Sequence, residues 1–255
     1  MTNTNCNKCG AEIRQGKKFC GGCGSPVSIE RRCLSCSALL EVNENFCSDC
    51  GAKYKNEQAK PTAADSIVVG SSYRFADYDW RVLSIENGKA LLISEKILEK
   101  RPYHEDNGNA TWEHCTLRKY LNGELYNSFG DAKSKITDTH NLNPDNLLYR
   151  QIGGNPTVDK VFLLNIDEVC RYFGDSVDVF KKHIAEEYPS GWISDDNNIK
   201  RIATYEDCDE AWTLRSPGRN IDGVACVDYN GQINLNGYAI SSNEGIRPAL
   251  WLNLQ

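Results

Sequence analysis

Residues 6–24 read CNKCGAEIRQGKKFCGGCG and residues 33–51 read CLSCSALLEVNENFCSDCG. Cys6, Cys9, Cys20 and Cys23 recur 27 residues later as Cys33, Cys36, Cys47 and Cys50, so the frame C-x2-C-x10-C-x2-C is written twice. Two residues between thiols let one tight turn aim both sulfurs at a single ion. Two such knuckles complete the tetrahedral four-sulfur shell that zinc prefers. Gly10, Gly24 and Gly51 follow the second thiol of their pairs, and Ser37 takes that place in the remaining one. Phe19 and Phe46 each precede the third cysteine, where a small unit can bury its single aromatic. A unit of about 20 residues has almost no apolar core, so the metal must supply most of its folding free energy. With four cysteine ligands no position stays open for water, which marks structural rather than catalytic sites. The expectation is two structural zinc ions.

The other four of the 12 cysteines, Cys115, Cys170, Cys208 and Cys226, are scattered singly. The chain opens MTNTNCNKCG, without a basic region followed by an apolar run, so a signal peptide is not expected. No apolar stretch reaches the roughly 18 residues of a membrane span. These readings predict a cytoplasmic protein, in which cysteines serve as metal ligands rather than disulfides. Residues 1–60 carry nine Lys and Arg against six Asp and Glu, formally +3. Each zinc with four thiolates contributes −2, which brings the region close to neutral, and the rest of the chain is acidic within a total of −6. That field repels phosphate, so protein is the expected partner, with a small ligand as the alternative, and nucleic acid is not. Local patches at Lys17–Lys18 and Arg31–Arg32 keep a nucleic-acid adaptor as an alternative.

The repeat divides the N-terminal region into ribbons at 1–28 and 29–53. The polar run KNEQAKPTAAD reads as a linker over 54–64. The remaining 65–255 is long enough to bury its own core. It opens with two β-rich runs around Asn87-Gly88, the strongest short hairpin signal. Leucines at 117, 121 and 125 predict a helix over Trp112–Phe129. A second helix begins at Asn165, which with Glu168 forms a capping-box pattern. Its apolar face is Ile166, Val169, Cys170 and Phe173. A third carries Val177, Phe180, Ile184 and Tyr188 and stops at Pro189. A strand pair flanks Asn230-Gly231, and RPALWLNL closes the chain as a strand. Strands at both ends with helices between predict an α+β domain whose terminal strands share an antiparallel sheet.

The two CxxC frames resemble the double zinc ribbon of bacterial and archaeal proteins. The succession DWRVLSIENGKALLISEKIL, TLRKYLNGELYNSF, VDKVFLLNIDEVCRYF, WTLRSPG, VDYNGQI and GIRPALWLNL resembles a large family of bacterial and phage domains. That family is similar to the C-type-lectin-like fold, in the branch that contains the formylglycine-generating enzyme. Activity in that branch uses copper on a cysteine pair, or iron on histidines with an H-x3-H element. The distal cysteines show no close pair, and His104, His114, His140 and His183 are not so spaced. Hydrolase, phosphate-loop and zinc-protease motifs are absent as well. A recognition protein is therefore expected rather than an enzyme, with a metal-dependent oxidase-like activity as the alternative. His104 and His114, beside Glu105 and Asp106, are the remaining metal candidates. Cys115, Cys170 and Cys226 sit in apolar patterns and read as buried hydrophobes.

The resemblance implies a ligand face built from loops near the last strands. It selects Trp212, Arg215, Arg219, Asn220, Asp228, Tyr229, Asn230, Asn234, Asn236 and Tyr238 as candidate contacts. Aromatics, arginine and asparagine together suit adaptable recognition. Trp212, Leu214 and Trp251 also read as core, and Arg215 and Arg247 as buried arginines satisfying loop carbonyls. Relatives of this fold include variable proteins of diversity-generating retroelements, and DYNGQINLNGYAISSN has a compatible composition; asparagine-rich turns give the same letters. Calcium-site motifs of sugar-binding lectins are absent.

Overall fold

A computed structural model of the chain describes the backbone of residues 4–5, 12–13, 31–32 and 39–40, and residues 49–50, 67–106 and 108–254 in full. The chain divides into two compact units, Met1–Asp65 and Ser66–Gln255.

In the first unit β1 (Thr4–Asn5) pairs with β2 (Glu12–Ile13), and β3 (Arg31–Arg32) pairs with β4 (Leu39–Leu40), both antiparallel. Each strand of the second hairpin lies 27 residues after its counterpart, and Thr4↔Ile13 becomes Arg31↔Leu40. The backbone thus repeats with the cysteine period, and each hairpin brackets one Cys-x2-Cys pair in sequence. Cys6, Cys9, Cys20, Cys23, Cys33, Cys36 and Cys47 lie outside the described residues, as does the expected linker. Cys50 is exposed in a turn.

The second unit opens with a meander of β5 (Ser72–Phe75), β6 (Tyr78–Glu86) and β7 (Lys89–Ser94). Asn87 and Gly88 join β6 to β7 with φ of 50° and 73°, the doubly left-handed turn that Asn-Gly tolerates. After β8 (Glu99–Arg101), α1 (Thr116–Tyr120) runs through a π-helical turn at Leu121–Leu125 into α2 (Tyr126–Ser128) and a 3-10 turn at Gly130–Lys135. This helix starts four residues later than the leucine spacing predicts. Cys115 caps it, its sulfur accepting from Arg118 N at 3.3 Å. Trp112 instead enters the core, its indole donating to Asp159 Oδ2 at 3.0 Å.

The hairpin of β9 (Thr139–Asn141) and β10 (Thr157–Asp159) carries a long loop between its strands. Helix α3 (Ile166–Tyr172) has the expected capping box: Asn165 Oδ1 accepts from Glu168 N, and Glu168 Oε2 accepts from Asn165 N. Helix α4 (Val177–Ile184) ends at Ala185, one turn short of Pro189, and leaves Tyr188 86% exposed. Glu186 and Glu187 would oppose the helix dipole there, and the residue preceding a proline avoids helical geometry.

There follow β11 (Trp192–Ile193), α5 (Asn198–Arg201), β12 (Ala203–Tyr205), β13 (Cys208–Glu210), β14 (Trp212–Pro217), β15 (Gly223–Val227), β16 (Ile233–Ala239), β17 (Glu244–Ile246) and β18 (Ala249–Asn253). One sheet has the order β18-β7-β6-β5, so the last strand pairs with the opening hairpin, Leu250 opposite Leu92. A second sheet has the order β11-β16-β15-β14-β17-β8, antiparallel except for the β14–β17 pair. The domain is mixed α+β and mostly sheet, with two larger sheets where the sequence suggested one.

Trp80, Trp112, Trp212, Phe162, Leu91, Leu92 and Ile93 are fully buried. Each such side chain contributes about 1.5–3 kcal/mol of transfer free energy. Cys115, Cys170 and Cys226 are buried with them. So are three arginines, Arg201, Arg215 and Arg247. Arg247 donates to the carbonyls of Ser94, Glu95 and Arg201 and lies 5.1 Å from the Trp212 ring.

Candidate functional site

The loop between β9 and β10 and the outer ends of β14, β15 and β16 meet in one place. The loop closes on itself at Gly153, where a Cβ would stand 2.2 Å from the Asn143 carbonyl oxygen. Gly153 N donates to Asp145 Oδ1 at 2.9 Å, and Asn146 N to Gln151 O at 2.9 Å. A compact loop with joined ends is a frequent carrier of function. Asn146 is buried, and its side-chain amide donates to the carbonyls of Pro217 (2.9 Å), Gly218 (3.4 Å) and Leu235 (3.0 Å). Tyr149 donates its hydroxyl to Asn236 Oδ1 at 2.6 Å, and its ring lies 5.6 Å from the Arg219 guanidinium. Arg219 N in turn donates to Asn236 O at 2.8 Å. This pinning leaves Leu142 (69% exposed), Leu147 (59%), Ile152 (72%) and the nearby Ile221 turned to solvent. The loop thus presents exposed apolar side chains on a hydrogen-bonded backbone.

The ten residues chosen from the sequence do not form one face. Trp212 is core, and its indole donates to the Arg201 carbonyl at 2.9 Å. Arg215 is an interior strut that reaches Glu168, Asn143 and the carbonyls of Leu142 and Leu163. Asp228 is buried and closes the β15–β16 turn, accepting from Asn230 N and Gln232 N. Asn234 is buried and accepts from Asn236 N and Gly237 N. Arg219 and Asn220 are exposed at one end of the β15–β16 hairpin, with Tyr238 beside that end and Asn236 half-buried. Tyr229 and Asn230 are exposed at the turn that joins these strands, the opposite end of the hairpin. Tyr149, Asn146 and the exposed leucines and isoleucine of the loop escape sequence reading because NLNPDNLLYRQIGG has neither helical nor strand periodicity. Its clustered Asn, Pro and Gly were the available signal.

The candidates for chemistry are also placed. Among the described residues no group of three His, Cys, Asp or Glu could hold a metal ion. His104 Nδ1 accepts from Thr116 N at the start of α1, and His114 is exposed beside Glu113. His140 is exposed, and His183 contacts the Ser190 carbonyl. Burial pushes the thiols of Cys115 and Cys170 up to about 12 and raises that of Cys226 further. Cys208 is exposed on β13. No helix among the described residues is long and apolar enough to cross a membrane.

Residues 87–254 match a family described as a domain of unknown function, DUF6273. The chain belongs to this family. Its DUF6273 portion begins at the β6–β7 turn and includes the whole loop face, while β5 and β6 precede it. Residues 6–51 match the double zinc ribbon, so the region ahead of the DUF6273 portion is of a zinc-binding type. Its donor set, eight cysteines in two four-thiol frames with a hairpin around each first pair, fits tetrahedral zinc. No curated protein and no solved structure matches the chain.

Proposed function

We propose that this protein is a non-enzymatic recognition protein, in which two structural zinc ions organise a docking module and a lectin-like domain holds a protein partner on its loop face. The observation that carries this reading is the exposure of Leu142, Leu147 and Ile152 on a loop whose polar backbone is pinned by Asn146 and Tyr149. A pre-ordered apolar surface loses little conformational entropy on binding, so more of its contact energy becomes affinity. The position of this face, beside the loops that flank the last strands, supports the C-type-lectin-like reading. The raised thiols of Cys115, Cys170 and Cys226 support a non-catalytic one, since thiolate is the reactive and metal-binding form. The internal hydrogen bonds of Asp228 and Asn234 support a structural origin for the asparagine-rich run over a retroelement variable region.

The test is affinity capture with three baits: the full chain, residues 66–255, and the full chain carrying Leu147→Ala, Ile152→Ala and Arg219→Ala. All three substituted side chains are exposed, so folding is expected to survive. A protein held by the first two baits and lost by the third supports the loop face. Retention by the third bait at the level of the first rules it out, and retention by the full chain alone moves recognition to the ribbons.

A further inference from the structure

A groove of about 530 Å3 lies between the β5–β6 strands and the C-terminal end of α3, built from residues separate from the loop face. That volume falls in the range of small-molecule sites. Val69, 56% exposed, and the half-buried Tyr172 supply the accessible apolar lining, over a floor of buried Val82, Leu83 and Phe173. Arg81, Glu95 and Lys200 supply the charges.

The charges are unequally committed. Both Glu95 oxygens accept from Arg81, one from Nε at 3.4 Å and the other from a terminal nitrogen. A further Arg81 N–H donates to the Lys200 carbonyl at 2.9 Å. A guanidinium has five N–H donors, so two on Arg81 have no partner among the described residues. The Lys200 ammonium donates to Asn197 Oδ1 at 2.8 Å and has two donors to spare. Beneath that floor, Arg247 lies 5.4 Å from the Phe173 ring and donates to the Glu95 backbone carbonyl. Two cations therefore line a groove whose one lining carboxylate is already engaged by Arg81. Gly70 also lines it with φ of +85°, and a Cβ there would meet nothing within 4 Å, so that side of the groove is open.

We propose that this groove is a binding site for a small organic acid: a carboxylate held by Arg81 and Lys200, attached to an aromatic body that lies against Val69 and Tyr172. The spare donors are charged, and those of Arg81 are part-shielded, which favours an anion over a neutral group; the apolar lining selects an acid with a hydrophobic body over acetate. The site is independent of the loop face, and either can fail without the other.

The experiment is calorimetric titration of the full, zinc-loaded chain with 3-phenylpropionate, and in parallel with its uncharged isostere 3-phenylpropanamide. The acid is expected to bind saturably at one per chain, with the amide weaker by about tenfold or more, as loss of charge-assisted hydrogen bonds requires. Lys200→Glu, at an exposed side chain, is expected to weaken the acid by a similar factor of about ten. Arg81→Gln should do the same, and because it also breaks the Glu95 pair its melting is recorded alongside. If Arg81→Gln fails to fold, Lys200→Glu and the amide still decide the matter. No saturable binding of the acid, equal binding of acid and amide, or unchanged binding in Lys200→Glu each overturns the proposal.

Discussion

Arg215 and Glu168 form a two-pronged ion pair between β14 and the first turn of α3, with one arm at 2.7 Å. Arg215 is almost fully buried, and Glu168 is the carboxylate that balances its charge. Glu168 also serves the capping box of α3. Glu168→Ala strips the buried guanidinium of its counter-charge and the helix of its cap. Removing one member of such a pair costs about 3 kcal/mol or more, which in a domain of this size lowers the melting temperature by roughly 6–12 °C. Calorimetry of the variant checks this, and a drop under about 2 °C would mean the pair is dispensable.

Asn146 ties the exposed loop to the sheet through three carbonyls. Asn146→Ala leaves Pro217, Gly218 and Leu235 without that donor and is expected to destabilise by about 1–3 kcal/mol. Loosening should be local. Hydrogen exchange is expected to accelerate over residues 142–153 while β6 and β7 keep their protection. Unchanged exchange across that loop would show that Asn146 does not order it.

The buried thiols make a two-part prediction. Iodoacetamide at pH 8 should label Cys208 in the native domain, whereas Cys115, Cys170 and Cys226 should require denaturant, as peptide mass spectrometry can resolve. A thiol whose folded pKa is raised adds stability below its unfolded value and loses it as pH climbs toward the folded one. For Cys115 and Cys170 that window runs from 9.0 to about 12. Stability should therefore decline above pH 9, and less steeply in Cys170→Ala once the variant's own lower baseline is subtracted. Parallel pH profiles for the two proteins would contradict this.

The repeated frame predicts two zinc ions per chain by elemental analysis. Cys20→Ser and Cys47→Ser should each lower that content by one, because each removes a ligand from a different frame. A content near zero for either single variant would show that the two ribbons fold as one cooperative unit.

Much of the local structure was legible in the residues. The C-x2-C spacing acts over a few bonds, and the paired hairpins repeat with it. Asn87-Gly88 names its turn because few other residues tolerate two successive left-handed conformations. The capping box at Asn165 needs only groups three residues apart. Even the pairing of β18 with β7 follows from strands at both ends of one domain.

The surface was not legible in the same way. Arg215 and Arg219 are the same side chain four positions apart, yet one is an interior strut and the other faces solvent. What separates them is the carbonyls of Leu142 and Leu163 and the Glu168 carboxylate, all about 50 or more residues away in sequence. The pinned loop and the Arg81–Lys200 groove arise likewise, from residues that meet only once the sheets have packed. Short-range geometry is determined by backbone sterics and is written locally. A polar side chain's role depends on which distant group satisfies it, and only the tertiary structure decides that.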